Sequence, residues 1–274
     1  MSRRDSWTDI SYLLVIGGIA CIALAVLVTP VVIVLLTSLT DSQTMSFPPK
    51  GISLRWYEAL FDSQQSSMIH AAAFNSVTVA AISALAAVLL GASAAIGLQS
   101  QRNSAVAKGL QGFFLSPLVL PGISFGLAAL MFFTLVGFNP SMSLMVIGHL
   151  VMVVPFVLRT TSSSLMQMDY SLLESSSILG ASRWYGFRRV MLPLITPGIA
   201  AGAFMALMAS MDNVPVSLFL ADADTDMLPI RMWGMMESTL DVRVAAVSGV
   251  LILAVLLMML LMERAVGLTK RLQG

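Results

Sequence analysis

Long apolar runs alternate along this chain with short polar joints, and the runs are too uniformly apolar to be the half-polar helices of a soluble surface. A helix rising 1.5 Å per residue crosses a hydrocarbon core of about 30 Å in roughly 20 residues. Six windows meet that requirement, at about 12–36, 73–98, 109–136, 143–160, 197–220 and 244–263. The fourth is the shortest and carries Pro155. Three joints, about 37–72, 160–196 and 221–243, are long enough to hold structure of their own. The pattern predicts an all-α, polytopic membrane protein with six transmembrane helices, in a single domain over residues 1–274.

Composition sharpens this reading. Hydrophobic residues make up 57% of the 274 and charged residues 11%, against roughly 45–50% and about 25% in soluble domains. No large soluble domain fits. The net charge of +1 gives no case for a nucleic-acid partner, so the position of each charge matters more than the sum. With the N-terminus cytoplasmic, the inner set is Arg3, Arg4, Arg102, Lys108, Arg159, Arg183, Arg188, Arg189, Arg264, Lys270 and Arg271, eleven of fifteen basic residues. Only Lys50, Arg55, Arg231 and Arg243 fall outside, as expected of a multi-pass protein with both termini cytoplasmic. The lone Cys21 excludes an internal disulfide framework. Gly18 to Cys21 has a faint lipoprotein-box character, but the apolar run continues to Leu36 and reads as an uncleaved first span.

Residues 169–193 are too polar to span, yet Leu172, Leu173, Ile178 and Leu179 leave one helical face apolar. Asp169 suits a helix cap, and Glu174 lies near the positive end of that helix. Gly180 allows a sharp turn before a second helix starting near Ala181, which Pro193 ends or joins to the next span. The product is a helix–turn–helix knob below the membrane. By physical reasoning alone, a solvated loop whose Arg183, Arg188 and Arg189 hold topology and touch anionic lipid fits equally well.

The spacing of Glu174, Gly180, Val190, Leu192 and Pro193 resembles the signature of the membrane subunits of bacterial binding-protein-dependent ABC importers: Glu-Ala-Ala, three residues, Gly, nine residues, Ile, one residue, Leu-Pro. Here Ser175 and Ser176 replace the Ala pair and Val190 replaces Ile; Ser is small enough for close packing. Phe47-Pro48-Pro49 through Trp56-Tyr57, Ser210 through Ser217, and Met227-Leu228-Pro229-Ile230 are similar to the spermidine/putrescine-type permeases of that group. The resemblance covers most of residues 40–265 and implies a type I ABC importer permease fold in a bacterial inner membrane. It further implies that Glu174, Ser175, Ser176, Gly180, Arg183, Leu192 and Pro193 dock onto a separate ATPase, with two ATPase subunits, a homologous second permease, an external solute-binding protein and membrane lipid as partners.

No ATP site is expected on this chain. A phosphate-binding loop needs Gly-Lys followed by Ser or Thr, and none of Lys50, Lys108 or Lys270 follows a Gly. ATP and Mg would sit on the partner ATPase, and the chain itself would be a transport subunit without a catalytic residue or cofactor. His70 and His149 are the only histidines; His149 lies in an apolar span and reads as a structural histidine. Asp222, Asp224 and Asp226 alternate like a calcium loop, but Met227 and Trp233 stand where that template needs Gly and Glu, so no metal site is expected.

Asp212 falls inside the fifth apolar window, where a carboxylate costs roughly 2.5–3.5 kcal/mol and must face a cavity or partner. Pro215 removes the backbone bond to the Met211 carbonyl and loosens the helix beside it. Asp212, Asn213 and Pro215 are therefore candidates for a substrate pathway or gate. The expectation is an importer subunit that couples ATPase motion to alternating access for a small polar solute, a cationic one such as a polyamine included. Alternatives are an aminophosphonate, an opine or another polar solute, or a stand-alone secondary carrier using Asp212.

Overall fold

The computed structural model describes residues 5–101, 103–222 and 224–266, with backbone alone at 5–11 and 265–266. Arg3, Arg4, Arg102, Lys270 and Arg271 of the expected topology set lie outside those residues. No β-strand is present among the described residues, and twelve helices follow one another. They are α1 (Asp5–Ser38), α2 (Arg55–Phe61), α3 (Ser67–Gln99), α4 (Ala105–Leu115), α5 (Gly122–Leu135), α6 (Met142–Gln167), α7 (Ser171–Ile178), α8 (Arg183–Gly186), α9 (Leu192–Met211), α10 (Val214–Leu220), α11 (Leu228–Thr239) and α12 (Arg243–Val266). Among the described residues five are long and apolar enough to cross a membrane, with α8 and α9 counted as one, or six if the α4–α5 pair, bent by 106°, is taken as one broken span.

The helices fall into two compact units, one of residues 1–67 and 234–256, the other of 68–233 and 257–274. Within the first unit, the Tyr57 hydroxyl meets Ser38 Oγ at 2.8 Å and lies against Gly249 of α12. Trp56 Nε1 donates to the Ser42 carbonyl at 3.1 Å, and Arg243 donates to Asp241 and to the Gln65 carbonyl. Trp56 and Tyr57 thus brace the loop.

The second unit holds the larger core. Its densest contact is α6 against α9. Gly198, Gly202, Ala206 and Ser210 recur every fourth residue on α9, all buried, and present one smooth face. A Cβ on Gly202 would stand 2.7 Å from Val157 Cα and would strike the Thr160 hydroxyl. One on Gly198 would stand 2.7 Å from the Thr160 carbonyl and would strike Ser164 Oγ. Two backbones approach this closely only over small residues, the usual means of helix association in lipid. Ala84, Ala87, Val153, Val157 and Ala206 complete the layer.

Two expected boundaries are corrected. The window at 109–136 is not one helix: a 3-10 turn, Ser116–Val119, follows α4, and Pro121 starts α5 in a new direction. The window at 197–220 is likewise two helices, α9 and α10, and the run that feeds it starts much earlier. Of the two roles left open for Pro193, it takes the entry to the next span. A π-helical turn, Phe187–Met191, widens the spiral so that the Leu192 N–H reaches the Phe187 carbonyl, and Pro193 falls in the first turn of α9, where a missing N–H costs little. The acidic joint at 221–243 contains α11. There Asp222 accepts from the Thr225 hydroxyl and from the Asp224 and Thr225 amides, bonds that hold its carboxylate below the usual range.

Candidate functional site

The knob is built as follows. Asp169 Oδ1 accepts from the Ser171 amide at 2.9 Å, which starts α7 and lowers the pKa of that carboxylate. Leu179 ends α7, Gly180 takes φ +83°, and Ser182 Oγ accepts from the Tyr185 amide to start α8. α7 returns close over α8, because a Cβ on Gly186 would already stand 3.3 Å from Ser176 Oγ. Ser176 instead turns its hydroxyl back onto the Leu173 carbonyl at 2.8 Å, so Ser at this point changes hydrogen bonding without blocking the packing. Leu173 roots α7 in a buried cluster of Ala95, Leu165, Met168 and Ile195, from α3, the α6 end and α9. Leu173 thus ties the knob to three spans.

Glu174, Ser175, Gly180 and Arg183 are exposed on the knob, whereas Ser176 faces α8. Leu192 and Pro193 lie apart from them in the first turn of α9. Of the apolar positions that the sequence placed on one face, Leu173 packs inward while Ile178 and Leu179 point outward, beside a Trp184 that the sequence did not single out. Ile178 and Leu179 are 85% and 87% exposed, and Trp184, stacked on Phe187 with centroids 5.4 Å apart, is 67% exposed. Exposed apolar side chains clustered on a polar loop mark an interaction surface.

The second candidate lies where two helix breaks meet. α9 ends at Met211, Asp212 occupies the C-cap, and Asn213 Oδ1 accepts from the Val216 amide at 3.3 Å to start α10. Pro215 sits in the first turn of α10. Asp212 is thus not inside a continuous helix with a kink after it, as its window suggested, but in a two-residue break. Asn at an N-cap and Pro just after it specify a fresh start, which overrides the apolar run. α10 packs on α5 so closely that a Cβ on Gly126 would stand 2.7 Å from the Pro215 carbonyl. Asp212, Asn213 and Pro215 all line one cleft of about 260 Å³ with Pro117, Leu120 and Gly122 from the other break, Met152, Val153 and Phe156 of α6, and Leu118 and Ala209. The Asp212 side chain is exposed and has no hydrogen-bond or ionic partner among the described residues.

Behind the break, fully buried His149 of α6 is a clasp. Its Nδ1 meets Ser210 Oγ of α9 at 2.8 Å and its Nε2 meets Ser217 Oγ of α10 at 3.1 Å. Ser217 Oγ donates to the Asn213 carbonyl at 2.8 Å, so the tautomer with its proton on Nε2 satisfies all three groups. His149→Leu is expected to orphan Ser210 and lower stability by about 1–3 kcal/mol, read as a fall in thermal midpoint of the detergent-purified chain. An unchanged midpoint would show that the clasp carries no weight.

The sequence of residues 87–268 matches the family model for the binding-protein-dependent transport system inner membrane component. Among its relatives, the spermidine/putrescine transport system permease protein PotC of Escherichia coli (strain K12) is 29% identical over 244 residues, 89% of this chain and 90% of that one. The putative 2-aminoethylphosphonate transport system permease protein PhnV of Salmonella typhimurium is 27% identical over 241 residues, covering 86% and 87%. A bacterial ABC transporter for alginate import superposes with a TM-score of 0.68 at 16% identity over 96% of this chain and 98% of that one. The MetNI methionine ABC transporter gives 0.62 at 16% identity over 75% and 98%. With a helical knob at one end of its bundle, two facing helix breaks at the core, and a family match over two thirds of its length, this chain belongs to the inner membrane components of binding-protein-dependent transport systems, the permeases of ABC importers.

Proposed function

We propose that this chain is one of two permeases in an ATP-driven importer and that its knob is the docking foot for an ATPase subunit. The observation that carries the reading is the α7–α8 knob, with its apolar tip presented outward and Leu173 rooted in the span core. Glu174, Ser175 and Arg183 flank the tip and supply the polar contacts; Gly180 shapes the bend. The knob faces the cytoplasm, as do the start of α1 and the end of α12, in line with the distribution of basic residues. ATP and Mg reside on the ATPase, and an external solute-binding protein delivers cargo. Asp212, Asn213 and Pro215 form a pathway element at the α9–α10 break, where the unpaired carboxylate attracts an ammonium group. The cargo is a small polar solute bearing at least one ammonium group, a class that contains both the polyamines and the aminophosphonate named for the relatives.

Reconstitution of the chain with its partner permease, ATPase and binding protein tests this. Uptake of ammonium-bearing probes is expected to require ATP, the chain alone to hydrolyse none, and Asp212→Asn to slow uptake about tenfold, equivalent to roughly 1.4 kcal/mol. Uptake by the chain alone, driven by an ion gradient, would replace the proposal with a secondary carrier. Normal transport by the Asn variant would remove only the pathway role of Asp212.

A further inference from the structure

The Asp212 cleft adjoins a larger one of about 530 Å³, and the two share Leu118 and Phe156 as a common wall. The second chamber is lined by Arg159, Thr160 and Ser163 of α6, with Met205 of α9. Met152, Phe156, Arg159 and Ser163 follow one another at spacings of four, three and four, with Val153 and Thr160 each next to that row, so a single face of α6 runs along both chambers. Val153 and Arg159 are six residues apart, about 9 Å along the helix, a separation that the Arg159 side chain can shorten by reaching back. Arg159, like Asp212, is exposed and has no carboxylate partner among the described residues.

Two unpaired charges of opposite sign within apolar spans are costly, and each is retained only where water, a partner or a ligand meets it. Arg159 was expected to serve topology alone. An arginine whose sole task is to mark the inner side needs no chamber and no neighbouring hydroxyls. Here Ser163 follows one turn later in the same lining, its hydroxyl accepting from Gln167 Nε2 and so keeping its proton to donate, whereas the Thr160 hydroxyl donates to the Phe156 and Val157 carbonyls. A guanidinium with a neighbouring hydroxyl is suited to a planar or tetrahedral oxyanion.

We infer that the two adjoining clefts together receive a zwitterionic solute, its ammonium group toward Asp212 and its carboxylate or phosphonate toward Arg159. This rests on the importer reading and narrows its cargo: a diamine would satisfy Asp212 but would bring a second positive charge against Arg159. Because the external binding protein selects the solute first, Arg159 acts after release. Its loss is read in the maximal uptake rate rather than in the half-saturating concentration of the loaded binding protein.

The test uses the full complex in proteoliposomes with 2-aminoethylphosphonate, 4-aminobutyrate and putrescine as probes. The wild type is expected to take up at least one of the two zwitterions at least tenfold faster than putrescine. Arg159→Gln is expected to lower the maximal rate for that zwitterion about tenfold, and Arg159→Lys to restore part of it. Faster putrescine uptake by the wild type, a Gln variant at the wild-type rate, or a Gln complex that dissociates because Arg159 grips the partner permease would each overturn the inference and leave the importer intact. Absence of ATP-driven uptake of any of these probes would overturn both.

Discussion

Replacing Gly202 by Leu is expected to abolish recovery of a folded chain. Even the first added atom, a Cβ, would stand 2.7 Å from the Cα of Val157 and against the Thr160 hydroxyl. The obstacle is backbone, which no rotamer change can move. Gly202 is also the second step of the Gly198, Gly202, Ala206, Ser210 series, so a local separation lifts the rest of that face. α9 would part from α6 at the level of Ser210, where the hydroxyl reaches His149. Overpacking of this kind costs about 1–3 kcal/mol for small insertions and more for a branched side chain. Gly202→Ala should therefore survive with a lowered thermal midpoint, and Gly202→Leu should aggregate on extraction. Gly97→Ala supplies the contrast: no atom lies within 4 Å of its added Cβ, and helix propensity favours Ala by about 1 kcal/mol. If Gly202→Leu and Gly97→Ala gave equally stable protein, the close α6–α9 approach would not exist in the membrane.

The contrast between these two glycines shows what could be seen in the sequence. Span positions were legible because a run such as 73–98 is apolar all round, and lipid solvation imposes a length that averaging over 20 residues detects. The knob was legible because its determinants are local: Asp169 and Gly180 act within a few residues of themselves. The helix breaks were hidden by the same averaging. Leu120 and Pro121 add no polarity to their window, and the single pair Asp212 and Asn213 is outweighed by the apolar residues on both sides. Pro117, Pro121 and Pro215 were present as signals, yet proline within a span is compatible with a kink as well as with a break, and neighbouring helices decide which.

The rest required partners distant in sequence. His149 pairs with serines 61 and 68 positions away, so nothing near it announces a clasp. Hydropathy gives glycine and alanine little weight, which concealed the smooth face of α9. Arg159 was read by its charge and its place in the chain, as an inner-side marker. Only the turn of α6 that aligns it with Met152 and Phe156 brings it to the same cavity system as Asp212. These cases share one cause: helix faces meet according to side-chain direction, which a one-dimensional profile does not contain.

Substitution at Gly180 is expected to uncouple transport from ATP hydrolysis while leaving the spans folded. Its φ of +83° lies in the left-handed region, where a residue with a Cβ pays roughly 1–2 kcal/mol, and a β-branched one more. No atom lies within 4 Å of the added Cβ, so the effect must come from backbone preference and not from a clash. Relief comes by rotating the turn toward negative φ, which swings α7 away from α8. Ser176 would leave Gly186, and the tip formed by Ile178, Leu179 and Trp184 would lose its shape. Gly180→Val should thus lower ATP-driven uptake about tenfold or more and reduce retention of the ATPase on purification, with the thermal midpoint of the chain little altered. Gly137 provides a matched control. Its φ is +89°, it too has open space around it, and it lies in the α5–α6 joint, at the opposite end of α6 from the knob. Gly137→Val carries a comparable backbone strain, so equal loss of uptake in both variants would assign the effect to general destabilisation. Loss confined to Gly180→Val locates the transmission of force in the bend itself, because the two substitutions differ in where they act and not in the strain they introduce.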